Sequence, residues 1–403
     1  MSASPKPAAE STRLLSLDAY RGAIMLLMVS AGLGIPTVAK SFTHSEVWQE
    51  LAHQTDHVLW AGCSLWDLIQ PSFMFMVGVA MPFSHASRLA KGQGPLTIAG
   101  HVAWRAVFLC LLGIFLTSSG KHTDWQFMNV LTQIGLGYAF VYLLVGRGLT
   151  VQLTAAAGLM LVHWLMFYIH KPIDLFEYGM LKYPLNGVMP YTDLRAHWNP
   201  VNNAGAEIDV LLLNLFPREK PFFYNKDGYV TVNFISSMAT MIFGLIAGEF
   251  LRRTDLPAKR KLAWLTIAAG AFLALGYGMS HTVCPSVKKI WTPSWAVFST
   301  GWTFAFLAAF YGIIDVAGCK GWEWPLRVVG MNSIAVYCMS MILKPWVRDT
   351  LQRHFGDGIF KGTYFGKTLF HEVFAPIALA ATFTFVVWLV AAWMYKRKIF
   401  VRI

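Results

Sequence analysis

The chain is poor in charge. Only 13% of its 403 residues are Asp, Glu, Lys or Arg, about half the share of a soluble domain, which excludes an ordinary water-soluble globule. Paired cysteines are missing too. None of Cys63, Cys110, Cys284, Cys319 and Cys338 stands in a CxxC pair. Cys110 and Cys338 fall inside apolar runs, so the five read as packing residues rather than a disulfide framework. The histidines show no HExxH and no pair spaced for zinc on one helix face, so no metal is expected. There is no Asn-x-Ser/Thr sequon, which favours a bacterial source and its inner membrane. The opening MSASPKPAAESTR lacks the basic segment joined to an apolar run that marks a cleaved signal peptide, so the first apolar helix is expected to be retained. No internal repeat is visible.

What fills the chain is apolar. Hydrophobic residues make up 56% of it and mean hydropathy is +0.48, the composition of an integral membrane protein. Apolar runs predict about ten spans, centred near Leu27, Met76, Leu111, Tyr138, Met160, Ile242, Ala269, Phe306, Ala335 and Phe385. The expected class is all-α: a polytopic transmembrane helical bundle, one domain over 1–403. Connecting segments alternate between short Lys/Arg-dense loops and longer loops of mixed sign. Lys/Arg totals are similar in the two sets, but density is higher in the short set, which puts both termini in the cytoplasm. The net charge of +12 then orients the protein and meets lipid headgroups. No contiguous soluble basic domain exists to bind nucleic acid.

The longest loop, His170–Tyr229, is rich in Trp, Tyr, Asn and Asp. Its apolar content is unlike disorder, and it is expected to fold as a lid over the outer mouth. Trp and Tyr beside Asn and Asp also suit a sugar; a packed interfacial loop is the equal alternative.

Ionisable residues inside a membrane need a partner or a water-filled cavity. Asp18 and Arg21, three apart in the first span, share a helix face and can pair. They form either an interfacial ion pair or, with Arg105 at the same depth, a contact for anionic phosphates. Asp67 lies about one turn inside the second apolar run. Pro71, four residues on, is expected to free the Asp67 carbonyl beside the carboxylate. His57 stands ten residues earlier, near the outer surface, where a lone histidine is usually just solvated. Lys288 and Lys289 reach the outer mouth, and Asn332 and Ser333 sit at the cytoplasmic end of the ninth span.

Four segments in order, RLLSLDAYRG (Arg13–Gly22), HVLWAGCSLWDLIQPSFMFMVG (His57–Gly78), VKKIWTPSW (Val287–Trp295) and GMNSIAVY (Gly330–Tyr337), resemble the transmembrane acetyltransferases typified by heparan-alpha-glucosaminide N-acetyltransferase. NAGAEID (Asn203–Asp209) and Lys226–Gly248 match more weakly. The resemblance implies a helical bundle, commonly a dimer, that moves an acetyl group from cytosolic acetyl-CoA to an amino sugar or related glycan across the membrane. It places the catalytic histidine at His57, opening H-x-x-W-x-G-x-x-x-x-D, with Asp67 as its acidic partner. Imidazole, with an ordinary pKa near 6.5, suits a general base or a transient acyl carrier. Asp18, Arg21, Arg105, Asn332 and Ser333 are the implied acetyl-CoA contacts. Trp60, Lys288, Asn203 and Asp209 are the implied acceptor contacts. The sequence departs from the heparan sulfate enzyme at Gly32 and Ala61, where that relative carries Asn, and Asn202, Asn203 and Gln54 are candidate substitutes. Relative to that protein, a large lumenal domain before the first shared span is expected to be absent. A glycan transporter or flippase without chemistry is the runner-up, disfavoured by the missing inverted repeat and by polar residues gathered near both ends of the spans. An inactive structural subunit on the same scaffold is a third possibility.

Overall fold

The computed structural model describes residues 14–172, 188, 190–360, 363–364, 367–368 and 370–401. Arg13, the polar stretch before it and residues 173–187 of the long loop lie outside the described residues. Each of the ten expected centres falls on a helix: α1 (Leu15–Ser30), α2 (Ile69–Ala90), α3 (Pro95–Thr117), α4 (Val130–Tyr142), α5 (Leu149–Ile169), α6 (Asn233–Arg252), α7 (Ala258–Thr282), α8 (Pro293–Phe310), α9 (Ser333–Phe355) and α10 (Ala375–Lys396). Strand content among the described residues is one two-residue hairpin, Thr363–Tyr364 with Lys367–Thr368. The protein is an all-α membrane bundle.

Helix number and span number differ. Seven helices are long and apolar enough to cross a bilayer, and an eighth span requires Trp324–Gly330 and α9 to act together across an 80° bend. The two that fall short do so for separate reasons. α4 has 13 residues, about 20 Å of helix against a hydrocarbon core of about 30 Å. α2 has 22 residues, but Gln70, Ser72, Ser84, His85, Ser87 and Arg88 dilute its apolar content. It runs instead through the centre of the bundle, with Met74, Phe75, Val79 and Met81 fully enclosed.

Small residues set the close packing. On α2, Gly78 meets the Met241 carbonyl of α6, and Gly244 of α6 meets the Phe75 carbonyl, so neither site has room for a Cβ. The same device joins α1 to Trp324–Gly330, where Gly22 faces the Leu326 carbonyl and Gly330 faces that of Asp18.

After α1 the chain makes a left-handed turn through four consecutive residues: Ala31 (φ 47°), Gly32 (66°), Leu33 (51°) and Gly34 (68°). Each non-glycine residue there costs about 1–2 kcal/mol. Thr55 packs on Gly32 and Pro376 on Gly34, which holds the strained turn in place. A short helix, Ile35–Ala39, and another, Glu46–Gln54, then lead to His57.

The described part of the long loop is folded. It contains a turn of 3-10 helix, Leu194–Trp198, and the helix Ala204–Leu213. Its apolar residues Trp198 and Ala204, with Val230 and Val232 just after it, bury against Trp60, Phe167, Val287 and Ile290. The loop therefore packs directly on the two segments that carry His57 and Lys288.

Candidate active site

Asp67 is not inside a helix. It lies in the 3-10 turn Trp66–Leu68, immediately before α2, and its carboxylate is 1% exposed. Pro71 is the third residue of α2, where no backbone donor is needed. The expected freed carbonyl within a helix interior is therefore replaced by an ordinary helix start. What makes the site polar is the convergence of donors on the carboxylate. Oδ2 accepts from the Val58 amide (3.2 Å), the Ser64 amide (3.2 Å) and Ser64 Oγ (2.9 Å). Oδ1 faces His57 Nδ1 at 2.7 Å and accepts from Lys288 Nζ at 3.3 Å. Ser64, three residues before Asp67, was not singled out from the sequence; its signal is the spacing of a local side-chain-to-backbone turn.

Lys288 comes from 221 residues away. It is delivered by an isolated antiparallel bridge between Ala61 and Val287, reinforced by the Gly62 amide donating to the Ser286 carbonyl at 3.0 Å. Thr292 closes the Lys288 segment into a tight turn by accepting from the Val287 amide at 3.0 Å. Asn233 at the start of α6 donates to the Lys289 carbonyl at 2.7 Å. Lys288 is not at an open mouth. Its side chain is 4% exposed, and Nζ sits 3.0 Å from His57 Nδ1.

Burial would raise the Asp67 carboxyl, but the His57 hydrogen bond, the Lys288 charge and the Val58 amide outweigh it and hold the group well below the usual carboxylate range. Burial pulls the Lys288 ammonium down to about 8, opposed by Asp67. Burial and then the Asp67 charge push the Cys63 thiol up to about 12, with Lys288 opposing, so Cys63 is no thiolate nucleophile here. His57 is the one member of the group open to solvent, with its side chain 40% exposed. Nδ1 faces inward, and Nε2 has no partner among the described residues. A carboxylate behind one ring nitrogen with the other nitrogen free is the arrangement of an oriented base or nucleophile.

Trp60 points inward. It is 4% exposed, donates its indole N–H to the Trp198 carbonyl at 2.9 Å and covers Gly228. It is a strut between three segments rather than a ring free to stack on an acceptor. Asn203 is likewise occupied. It caps Ala204–Leu213 by accepting from the Ala206 amide at 3.0 Å and donates to the Asn199 carbonyl at 2.7 Å. Asp209 is buried beneath the loop and accepts from the Thr231 amide at 2.9 Å; burial raises its carboxyl to about 6. Of the amides considered for the Gly32 and Ala61 positions, Gln54 is spent between Glu50 and the Leu65 amide, and Asn202 is buried within the loop.

At the other end of α2 lies a cavity of about 610 Å³. Arg21 and Arg105 both line it, as does Ser333. Arg88, Lys91 and His101 join them. Of these, Arg88 and Lys91 had only a topological reading, as loop charge. Arg105 lies over the Tyr138 ring at 4.8 Å and donates to its hydroxyl at 3.3 Å. Asp18 is 5% exposed, 3.9 Å from Arg21, and holds that guanidinium rather than lining the space. Asn332 does not line it either. Its amide donates to the Ile399 carbonyl and accepts from the Val401 amide, both at 3.1 Å, which fastens the C-terminal segment.

The cavity wall runs along α2 through Ser87, Ser84, Ala80, Val77, Met76 and Phe73, a three-to-four-residue recurrence that marks one helix face. Continued by one and two turns, that face reaches Gln70 and then Asp67. A buried amide pair joins Gln70 Nε2 to Gln133 Oε1 at 3.2 Å, about one turn from Phe73 along α2.

Two curated proteins match the chain over most of its length. It is 25% identical over 361 residues to heparan-alpha-glucosaminide N-acetyltransferase of Homo sapiens, covering 81% of this chain and 52% of that protein. The chain is similar to N-acetyltransferases. The mouse protein of the same name is 23% identical over 375 residues, 83% of this chain and 54% of its own. The resemblance carried by the four motifs thus extends across the bundle. The chain spans about half the length of the curated relatives it matches. No family model matches it.

Proposed function

We propose that the protein is a membrane acetyltransferase that moves an acetyl group from cytoplasmic acetyl-CoA to the amine, or hydroxyl, of an extracytoplasmic amino sugar or glycan, in a bacterial inner membrane. The observation that carries this reading is the single face of α2 that links a basic cavity at one end to the Asp67–His57 group at the other. Arg21, Arg88, Lys91 and Arg105 suit the phosphates of the donor. From Phe83 to Phe73 the cavity side of α2 is apolar over about 15 Å, room for a thin thioester arm, and the polar stretch from Ser84 to Lys91 lies beside it. The Gln70–Gln133 amides, about one turn beyond Phe73 on α2, are suited to receive the thioester carbonyl.

The chemistry follows from the ring orientation. Asp67 holds Nδ1, so Nε2 takes the proton from the acceptor nitrogen as that nitrogen bonds to the thioester carbon. The C–S bond breaks, and the imidazolium returns the proton to the departing thiolate. In the two-step version Nε2 itself bonds to the acyl carbon as the C–S bond breaks, and the acceptor amine then displaces the imidazole, its released proton ending on the thiolate.

The test is acceptor-dependent thiol release from acetyl-CoA by detergent-purified protein, across a panel of amino sugars. His57→Ala is expected to lose at least a hundredfold in rate while binding acetyl-CoA as the parent does. Full activity in that variant refutes the mechanism. Failure of the parent to bind acetyl-CoA at all would support a transporter without chemistry.

A further inference from the structure

The buried ammonium of Lys288 is not required to hold the fold of its own segment, whose turn is closed by backbone and Thr292 hydroxyl bonds. Nor does it face an open mouth. Both of its polar contacts are to the catalytic pair: Nζ lies 3.0 Å from His57 Nδ1 and 3.3 Å from Asp67 Oδ1. The other titratable groups facing it are Cys63, which stays a neutral thiol, and the neighbouring Lys289. Lys289 is itself influenced by Asp227, Asp67 and Asp56, and Tyr229 lies within range of Asp67 and Asp227.

Geometry makes the three groups exclusive. Asp67 Oδ1 is shared by two donors, the ring N–H and the ammonium. If Nδ1 donates to Oδ1, it has no lone pair left for Lys288, and an ammonium stands 3.0 Å from a ring N–H. A second positive charge on that ring, taken up through Nε2, would then sit against an existing one with only a single carboxylate between them. At such a separation in an enclosed site, like charges oppose one another strongly.

We propose that Lys288 is a positioning residue for His57: its enclosed ammonium, seated against Nδ1 and the shared Asp67 oxygen, opposes added positive charge on the ring and keeps Nε2 turned to the acceptor. The role depends on the reading of His57 as the group that handles the acceptor's proton, and it reassigns Lys288 from acceptor contact to support behind the ring. It also explains why a lysine is enclosed beside an aspartate that already has four other donors.

The test reads the ring directly. Diethylpyrocarbonate acylates neutral imidazole, and the His57 side chain is 40% exposed, so carbethoxylation of the His57 peptide can be followed by mass spectrometry from about pH 5 to 9. The Lys288→Met curve is expected to move its midpoint upward by about one pH unit or more. Lys288→Arg, which keeps the charge, is expected to stay with the parent. Asp67→Asn, which removes the anion and leaves the cation, is expected to move it downward. Coincident curves for Lys288→Met and the parent overturn the proposal. If Lys288→Met does not fold, an unmoved midpoint in Asp67→Asn overturns it. The acetyl-transfer reading fails separately: a shifted Lys288→Met curve together with full transfer by His57→Ala sinks that reading and leaves the Lys288–His57 coupling intact.

Discussion

Removing Asp67 from beneath His57 should unfold the site more readily than removing Lys288, and removing both should cost less than the sum. Five donors meet the Asp67 carboxylate: His57 Nδ1 at 2.7 Å, Ser64 Oγ at 2.9 Å, the Val58 and Ser64 amides at 3.2 Å and Lys288 Nζ at 3.3 Å. Asp67→Ala strands them all and leaves the ammonium, 4% exposed, without an anion. A broken buried pair of that kind costs about 3–5 kcal/mol. Lys288→Met removes one charge-assisted bond of about 1.5–3 kcal/mol, and the carboxylate keeps its other four donors. In the double variant no buried charge is orphaned, so its loss should fall short of the sum by about 2 kcal/mol or more. Thermal unfolding in one detergent, followed by the fluorescence of the 16 tryptophans, ranks the four proteins. Strict additivity would refute the idea that Asp67 and Lys288 form one electrostatic unit.

Arg88→Gln and Arg105→Gln should each raise the KM for acetyl-CoA about tenfold with little change in kcat, measured by initial rates at saturating acceptor. Burial lifts the Asp209 carboxyl to about 6, above its ordinary value near 4. The folded chain therefore binds more protons than the unfolded one between those values, and stability falls as pH rises through that window. Asp209→Asn, whose amide oxygen still accepts from Thr231, should abolish that fall and gain about 1–3 kcal/mol at pH 7, read from unfolding midpoints between pH 4 and 7.

Helices were legible because each is a long apolar run bounded by polar segments; every expected centre lies on one. How many of them have the length and apolarity of a span is a separate matter: seven do, and an eighth needs a bent pair. α2 and α4 are held by protein on most sides, and length and polarity keep them from qualifying as spans. Asp67 was legible as costly, and His57 only through the family motif, since an exposed histidine has no pattern of its own. The place of Lys288 was illegible: no spacing rule connects residues 221 apart, and the bridge at Ala61 and Val287 that joins them is one residue pair long. Asn203, Asp209 and Trp60 have the residue types of a sugar site, but the same donors and acceptors serve a folded loop equally well. Asn332 has the residue type of an acetyl-CoA contact, but its amide is engaged by the chain's own C-terminal backbone at Ile399 and Val401.

The left-handed turn at Ala31–Gly34 bears on whether this site can be converted into that of its relatives. Asparagine tolerates the φ of Gly32 better than most residues, so conformation alone would admit it. Space does not: a Cβ there would lie 2.5 Å from the Thr55 carbonyl, two residues before His57. Grafting a single amide onto this position would therefore push the histidine loop away as it arrived. The glycine in the turn and the Thr55 segment that leads to His57 are packed as one unit, and a transplant would have to exchange the whole stretch from Ala31 to Asp56.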